Sequence, residues 1–428
     1  EITFINPYDI KGGASMGTFR LFSYFRQYIS TEARLRVVVK SSSCDSIVEG
    51  MSIMFRLIFY LQIVFNKFIC LIFARGPLPV SFSFLVPFSL PALMLCFRSR
   101  SSSSLYLHSM GSGFACPLSF YALAKRAAVV KTADDWYLTG GCHYSLSCDQ
   151  WKSGCKSCPH MNFLGKLCVR LNWLFKIKVI SAMSCFVFVS PSDWLSSRYR
   201  LLHPNRCSVI YNSASSVPSN SLSSASLVAG TRCFSRNKSL FSPNIDSLTL
   251  GLPVTYLRDK RKGFFESFSA VARTLNSYPV NLILCGGDSH DYFDLICSKS
   301  SSFHFNSYVE SLGLVSPIDM EFFYSKLDFV LHFAKYDNSP NVVTESLSSG
   351  VPAIVLDDAG SPEHVRSSAA GFVLGDVSEL HDCVGLIVDG SVNIQALKQR
   401  AIEYSQNVLS PKVMAESYSR LFCVQSAS

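Results

Sequence analysis

Short apolar runs alternate with amphipathic stretches along this 428-residue chain, and this alternation constrains its fold more than any other feature. Buried strands that alternate with amphipathic helices are typical of a parallel sheet covered by crossover helices. The alternation occurs in two series, separated by a serine-rich segment over residues 208–226. Two series, in a chain too long for one ordinary hydrophobic core, predict an α/β protein with two Rossmann-like, doubly wound domains.

The expected domains are a first one over residues 1–207 and a second one over residues 208–400. We expect the last segment, residues 401–428, to be a helix that packs back toward the first domain. Ligands of doubly wound sheets bind beyond the carboxyl ends of the strands. The loops that follow strands, and the cleft between the two domains, are therefore where we look for chemistry.

The charge balance favours anionic partners. The chain has 39 Lys and Arg against 30 Asp and Glu, a formal net charge of +9. Phosphorylated small molecules and anionic lipid surfaces both suit such an excess. Nucleic acid is not expected, because the sequence has neither an arginine-rich helix nor an aromatic RNA-binding pattern.

Two apolar stretches raise the question of a membrane. Met51–Phe73 is interrupted by Arg56 and Lys67, and Pro77–Phe97 contains four prolines. A membrane-spanning helix needs about 20 uninterrupted apolar residues, so we expect either buried core or contact with a membrane surface. Residues 1–6 are typical of a strand rather than of a secretory signal. We therefore expect a cytoplasmic chain, either wholly so or peripheral at the inner face of the membrane.

The strongest local motif lies between an apolar strand and an amphipathic helix. It runs Asp337-Asn338-Ser339-Pro340-Asn341-Val342-Val343-Thr344-Glu345. A helix start offers backbone N–H groups and a positive dipole end, which suit a phosphate. An acid in the first turns can accept hydrogen bonds from ribose hydroxyls. The alternative is that Asp337 and Glu345 are solvated and that Asp337 or Asn338 caps the helix.

This motif, followed by Gly350-Val351-Pro352 and Gly360-Ser361-Pro362-Glu363, resembles the donor site of family 4 retaining glycosyltransferases, which have the GT-B fold. The resemblance implies that Asp337 lies near the transferred sugar, although the family usually has Glu there. It implies that Glu345 holds the nucleotide ribose. Backbone amides for the donor are expected from the segment Ser339, Pro340, Asn341, Val342 and Val343.

Two further sites in the second domain fit the same resemblance. Arg261 and Lys262 precede Gly263 after an apolar strand, where the family binds the donor pyrophosphate. Fixed cations suit that role, because the leaving diphosphate gains charge in the transition state. On the residues alone, this segment could equally be a solvated turn. Gly286 corresponds to a strand-end glycine at which the backbone approaches the ligand.

A block in the first domain resembles the enzymes that build bacterial exopolysaccharides and O-antigens, the colanic-acid type. It reads Asp134-Asp135-Trp136-Tyr137-Leu138-Thr139-Gly140-Gly141-Cys142-His143-Tyr144. Ala133 occupies the position where that family usually has a histidine, and His143 is a candidate replacement. The resemblance places Asp134, His143 and His108 on the acceptor side. It places Gly12 and Gly13, after the first strand, against donor phosphate or acceptor.

The same block contains four closely spaced cysteines, namely Cys142, Cys148, Cys155 and Cys158. Four thiolates can close a tetrahedral structural zinc site. Two disulfides and four free thiols are the alternatives. A closed four-sulfur site has no open position, so the zinc would stabilise the loop without taking part in catalysis.

Together these features predict a retaining glycosyltransferase of the hexosyltransferase type, which transfers a sugar from a nucleoside diphosphate sugar to a carbohydrate or lipid-linked oligosaccharide in surface polysaccharide synthesis. No cofactor is expected to be required for catalysis. Two alternatives remain open. One is a sugar-nucleotide epimerase, and the other is a carbohydrate-binding relative that has lost catalysis, which Ala133 and Asp337 would favour.

Overall fold

The computed structural model describes residues 2–42, 48–76, 78, 81–85, 88–99, 104–108, 110–111, 114–119, 127–182, 186–213, 238–240, 247–299, 307–316 and 319–427. Over these residues the chain divides into two compact units. Unit 1 comprises residues 2–211 and 411–427, and unit 2 comprises residues 212–213 and 238–410.

Unit 1 is built on a seven-stranded sheet. Its strands are β1 (Ile2–Tyr8), β2 (Arg34–Val39), β3 (Val48–Glu49), β4 (Ser104–Leu107), β5 (Ala127–Lys131), β6 (Phe186–Ser190) and β7 (Cys207–Val209). The spatial order is β3-β2-β1-β4-β5-β6-β7, and every neighbouring pair is parallel. The order reverses between β1 and β4, which makes the loops after these two strands the switch point of the sheet.

Helices cover both faces of this sheet. They are α1 (Gly13–Tyr28), α2 (Ile53–Phe73), α3 (Leu90–Arg98), α4 (Phe163–Ala182), α5 (Asp193–Arg200) and, from the end of the chain, α13 (Pro411–Ala427). Helix α13 packs on α1. The Phe25 and Phe422 rings meet edge to face at a centroid distance of 6.0 Å, and Tyr418 packs in the same way on Tyr106 of β4 at 5.6 Å.

Unit 2 repeats the same plan. Its strands are β8 (Lys238–Leu240), β9 (Leu248–Pro253), β10 (Val280–Cys285), β11 (Tyr308–Ser311), β12 (Phe329–His332), β13 (Ala353–Leu356) and β14 (Gly371–Leu374). The order is β14-β13-β12-β9-β10-β11-β8, and all pairs are parallel except β8 with β11. Here the order reverses between β9 and β12.

The helices of unit 2 are α6 (Phe264–Ser277), α7 (Ser289–Lys299), α8 (Met320–Ser325), α9 (Asn341–Ser348), α10 (Glu363–Ser368), α11 (Leu380–Val388) and α12 (Ile394–Asn407). Strands β9, β10 and β12 contribute residues that are almost fully buried, such as Leu252, Leu284 and Leu331. The core of unit 2 therefore lies against the strands whose ends carry the motifs.

Two doubly wound α/β units confirm the predicted fold class. The end of the chain differs from the expectation, because residues 401–407 belong to α12 of unit 2 rather than to a helix of unit 1. Leu397 and Ala401 bury one side of α12 within unit 2, where it packs against α9. Pro411 begins α13, and proline disfavours helical conformation in the residue before it. The helical sequence is thus cut in two.

One described helix, α2, is long and apolar enough to cross a membrane, and 17% of its most apolar window is buried. Among its described residues, the second apolar stretch contributes the nine-residue helix α3, which Ser89 caps by accepting a hydrogen bond from the Ala92 N–H. Residues 77, 79, 80, 86 and 87 of that stretch lie outside the described residues.

Candidate functional site

The predicted donor-site residues meet at the switch point of unit 2. Strands β9 and β12 are neighbours in the sheet, and the loops that leave their carboxyl ends carry Arg261 with Lys262 and Asp337, respectively. Because parallel strands end at the same edge of a sheet, the sequence motifs come together although 75 positions separate Lys262 from Asp337.

The conformation of the loop after β9 is fixed by Asp259, within the loop, and by Gly263. Asp259 caps a 3₁₀ turn over Lys260–Lys262 by accepting a hydrogen bond from the Arg261 N–H. Gly263 follows with a φ of +68°, and a Cβ there would lie 2.1 Å from the Phe333 carbonyl oxygen. The Lys335 N–H donates to the Arg261 carbonyl at 2.7 Å. Glycine is therefore required where the two loops touch.

Lys262 and Asp337 form an ion pair across these loops, with 2.9 Å between Nζ and Oδ2. Both side chains are more than three-quarters buried, at 23% and 18% exposure. Burial pushes the pKa of Asp337 upward, but the Lys262 ammonium, His332 and hydrogen bonds outweigh it and hold that pKa below its ordinary value. Asp337 is thus a carboxylate beside a cation at neutral pH.

Arg261 points its guanidinium at a different acid. Its Nε and one terminal nitrogen both donate to the carboxylate of Asp259, the first at 3.1 Å. This two-point contact fixes the plane of the guanidinium. The loop thus presents two oriented cations, one held by Asp259 and the other by Asp337.

Helix α9 begins at Asn341, in the loop that carries Asp337. Among the residues that the structure describes, no side chain caps its first turn, and the Pro340 carbonyl accepts from the N–H groups of Val343 and Thr344. Pro340 itself has no N–H, so the predicted set of donor amides is wrong at that one position. The loop is held by Gly360, whose N–H donates to the Asp337 carbonyl at 2.8 Å.

Glu345 lies one turn further along α9 and is half-buried. The Tyr324 hydroxyl of α8 donates to its Oε2 at 3.1 Å. Glu345 also lies near the end of β10, since burial first and the Glu345 charge second raise the pKa of Cys285. Next to Cys285, Gly286 has a φ of +109°, and a Cβ there would lie 2.3 Å from the Val254 carbonyl oxygen. The ends of β9, β10 and β12 therefore converge around the predicted residues.

In unit 1 the switch point carries the glycine loop and His108. Gly12, at a φ of +83°, precedes the first residue of α1, Gly13, and a Cβ on Gly12 would meet nothing within 4 Å. Thr18 of α1 hydrogen-bonds to Nδ1 of His108, and Nε2 of this buried ring has no partner among the described residues. Burial, with Lys131 nearby, lowers the pKa of His108 to about 3, so its ring is neutral.

Asp134 and His143 form a second pair at the edge of this sheet. His143 Nδ1 lies 2.6 Å from Asp134 Oδ2, and its Nε2 lies 2.9 Å from the Ser83 hydroxyl. The ring stacks on Trp136 at an interplanar angle of 23°. Both ring nitrogens thus have partners, and the orientation of the ring is fixed. The Asp134 charge also acts on His108, so the three predicted acceptor-side residues are neighbours.

Sequence reasoning missed three polar residues near these sites. Buried Lys131, at the end of β5, donates to the Ile210 carbonyl at 3.2 Å, and burial lowers its pKa to about 7. His332 ends β12 beside Asp337, and burial lowers its pKa to about 4. Tyr324 anchors Glu345. A polar residue at the end of an apolar strand was the available signal for the first two, whereas Tyr324 lies on a short helix with no distinctive pattern.

The four cysteines line one cavity of about 240 Å³, together with Trp151 and His160. All four are free thiols, and the Gly140 N–H donates to the Cys155 sulfur at 3.2 Å. Burial, and to a lesser degree the neighbouring cysteines, raise the pKa of Cys142. Within the described ranges, however, no three His, Cys, Asp or Glu side chains are placed to share a metal ion.

Comparison with known proteins agrees with these motifs. Residues 256–408 match the family model of the glycosyl transferases group 1. WcaC of Escherichia coli (strain K12), assigned as a glycosyl transferase to colanic acid biosynthesis, is 31% identical over 86 residues, 18% of this chain and 21% of that protein. The Vi polysaccharide biosynthesis protein VipC/TviE of Salmonella typhi is 24% identical over 188 residues, 42% of this chain and 30% of its own length.

The chain thus aligns with less than a third of the length of either relative. Among solved structures, Anabaena Alr3699/HepE in complex with UDP-glucose superposes with a TM-score of 0.59 at 13% identity, over 99% of both chains. That identity supports the fold alone. The match of residues 256–408 confirms the predicted glycosyltransferase resemblance for the segment that carries Arg261, Lys262, Gly286, Asp337 and Glu345, while membership of family 4 remains a prediction.

Proposed function

We propose, from the premise that residues 256–408 form a glycosyl transferases group 1 domain, that this chain transfers a sugar from a nucleoside diphosphate sugar to a carbohydrate acceptor. The Lys262–Asp337 pair at the switch point of unit 2 is the observation that carries the proposal. The pair brings a cation and a carboxylate side by side at the edge of the sheet where ligands bind. The cation would face the diphosphate of the donor, and the carboxylate would face its sugar.

Each residue of this edge would have a distinct role toward the donor. Lys262 and Arg261 would neutralise the charge that develops on the leaving diphosphate. The first turn of α9 would add backbone N–H groups to the same anion. Glu345, oriented by Tyr324, would accept hydrogen bonds from the ribose hydroxyls. With two oriented cations present, the proposed reaction needs no catalytic cofactor.

The proposed reaction retains the configuration at the anomeric carbon. The bond from that carbon to the diphosphate oxygen breaks, a hydroxyl of the acceptor attacks from the same face, and the departing phosphate takes its proton. Asp337 would contact the transferred sugar rather than form a covalent intermediate. This assignment rests on its carboxylate state beside Lys262.

Unit 1 would bind the acceptor, through His108, Asp134 and His143. We propose a lipid-linked oligosaccharide of a bacterial surface polysaccharide, because the two aligned relatives are assigned to colanic acid and Vi polysaccharide biosynthesis. An acceptor of this kind would place the enzyme in the cytoplasm, at the inner face of the membrane. The exposed apolar surface of unit 1 supports that location.

We propose a structural zinc ion for the four-cysteine loop as a separate point. Four thiols around one cavity support it. The arrangement of the described side chains does not fit a bound metal, so the thiols would have to rotate to share one. Metal analysis of the purified chain tests this proposal. We expect about one zinc ion per chain. We also expect Cys155→Ser to lose the zinc and to have a lower melting midpoint. A wild-type chain that is stable without metal would refute the proposal.

The donor site is tested by following the unfolding midpoint of the purified chain with UDP, GDP, ADP and their sugars. A ligand that binds only the native state raises the midpoint. At a concentration of 100 times its Kd, it adds about 2.7 kcal/mol to the free energy of unfolding. We expect a shift with one nucleotide family, and we expect Glu345→Ala to reduce it. Glu403→Ala, on the exposed face of α12, is the matched control and should shift like the wild type.

The outcome also separates the other functions. Binding of a nucleotide sugar followed by its conversion to an epimer, with no acceptor present, would point to an epimerase. Retained binding without turnover in any acceptor mixture would point to a relative that has lost catalysis. The absence of a shift with every nucleotide would remove the proposed donor site.

A further inference from the structure

We infer that helices α2 and α4 of unit 1 form one docking surface for an anionic lipid bilayer, into which their exposed apolar side chains insert while their exposed Lys and Arg residues contact the headgroups. This inference is independent of the proposed reaction, because it rests only on the exposure and charge of the two helices.

Helix α2 turns a long apolar stripe to solvent. Its exposed apolar side chains recur at spacings of three and four residues, so that they share one face. They are Ile53, Met54, Leu57, Tyr60, Leu61, Val64, Phe65, Phe68, Leu71 and Ile72. Leu61 and Leu71, for example, are 69% and 75% exposed. A stripe of this length on a single helix is far more than the scattered apolar residues of an ordinary surface.

Helix α4 extends the stripe. Phe163, Leu164, Leu167 and Leu171 are exposed, and Phe163 reaches 82%. Asn162 ties the two helices together, because its side chain donates to the Ile72 carbonyl at 2.9 Å and its N–H to the Phe73 carbonyl at 2.8 Å. Gly165 allows close contact, since a Cβ there would lie 2.8 Å from the Phe73 carbonyl oxygen. The end of one stripe therefore adjoins the start of the other.

The charges on these helices select the occupant. Residues 53–76 and 160–182 contain no Asp or Glu. Lys176 of α4 is buried and donates to the Trp136 carbonyl, so it does not face the bilayer. The remaining cations of these segments are at least partly exposed, and they are Arg56, Lys67, Arg75, Lys166, Arg170 and Lys178. A two-fold contact with a second copy would bring these like charges together, which is unfavourable. An anionic bilayer offers hydrocarbon for the stripe and phosphate for the cations, with about 1 kcal/mol for each cation near the surface.

The buried side of α2 indicates that it lies on the bilayer rather than across it. The Asn66 side chain donates to the Phe84 carbonyl at 2.8 Å and accepts from the Phe84 N–H at 3.3 Å. Phe59 packs edge to face on Phe114 at 5.9 Å. A helix that crossed the membrane would break these contacts and expose the core of unit 1. Contact through the solvent-facing stripe keeps them.

Flotation of the full chain with vesicles tests the inference. One set contains phosphatidylcholine with the anionic lipid phosphatidylglycerol, which attracts a basic surface, and the other is phosphatidylcholine alone. We expect binding to the anionic vesicles, weakened by high salt because screening removes the headgroup contribution. The double variant Leu61→Glu, Phe65→Glu should bind at least about tenfold more weakly. Each substitution removes the free energy gained when an apolar side chain moves from water into hydrocarbon.

Leu314→Glu with Leu386→Glu is the matched control, because both leucines are exposed in unit 2, at 58% and 52%. The control should bind like the wild type, and all variants should keep the wild-type unfolding midpoint. Equal binding by the α2 variant, or equal binding to neutral vesicles, would overturn the inference. So would protein that resists extraction at alkaline pH, which indicates a spanning helix, or lipid-free dimers that the α2 variant abolishes.

Discussion

Lys262 and Asp337 illustrate how a single contact links the sequence motifs to the proposed chemistry. Neither residue is unusual in its own segment, yet their ion pair at 2.9 Å joins the loops after β9 and β12. An anionic donor would attract Lys262 toward its diphosphate and leave the Asp337 carboxylate to the sugar. The ion pair therefore keeps both groups charged and oriented before a ligand arrives.

Lys262→Met removes this pair and allows a test by pH. Because the folded pKa of Asp337 lies below its ordinary 3.8, its pairing stabilises the fold above about pH 4 and is lost as the pH falls through the folded pKa. We expect the variant to be about 1–3 kcal/mol less stable at pH 7, because it leaves a largely buried carboxylate without its cation. The difference from the wild type should shrink below about pH 4, as measured by urea unfolding.

Lys335→Met is the matched control. Lys335 lies in the adjoining loop, and its pair with Glu266 at 3.3 Å is about half exposed. Its removal should change stability by a few tenths of a kcal/mol at most. A difference between wild type and Lys262→Met that stays constant from pH 7 to pH 3 would contradict the assigned role of Asp337.

At the scale of elements, the contact between the two loops of unit 2 depends on a glycine. Gly263→Ala would place a methyl group 2.1 Å from the Phe333 carbonyl oxygen, at a φ of +68°. We expect a loss of stability of about 1–3 kcal/mol and a weaker response to nucleotide, because the turn that carries Arg261 and Lys262 must move. Urea unfolding and the nucleotide-induced shift measure the two effects.

Gly287→Ala is the control for this substitution. Gly287 lies in the loop that follows β10, and a Cβ there would meet nothing within 4 Å. It should leave stability and nucleotide response within about 0.5 kcal/mol of the wild type. If both glycine variants behaved alike, the close approach of the two loops would not be what positions the cations.

The sequence predicted the elements of the site better than their contacts. The acid and helix pattern around Asp337 and Glu345 was recognisable because residue type and spacing are local. The partnership of Tyr324 with Glu345 and the packing of Gly263 on Phe333 were not, because both join segments that are distant along the chain. Pro411 was a local signal that the last helical stretch divides into two helices. The prediction instead followed the long amphipathic pattern, which favours one continuous helix.

At the scale of the whole molecule, two series of strands and helices were enough to predict two doubly wound units. The period of the apolar runs determines whether a segment becomes a strand or a helix, and parallel strands follow from the intervening helices. The antiparallel strand β8 had no such signal, because it is three residues long and follows the serine-rich segment. The assignment of α13 to a unit, by contrast, depends on contacts with residues that lie far upstream in the chain.

Helix α13 should be a structural part of unit 1 although it is the last element of the chain. Phe422 is 3% exposed and packs on Phe25, whereas Val424, two residues on, is 68% exposed. We expect Phe422→Ala to destabilise unit 1 by about 3–5 kcal/mol and Val424→Ala to have little effect. Hydrogen exchange, which reports each unit separately, should show faster exchange in α1 and β4 and unchanged exchange in β9 and β12. Loss of protection in unit 2 alone, or equal effects of the two variants, would show that α13 does not stabilise the sheet of unit 1. The proposed acceptor residues on that sheet would then be held in place without a contribution from α13.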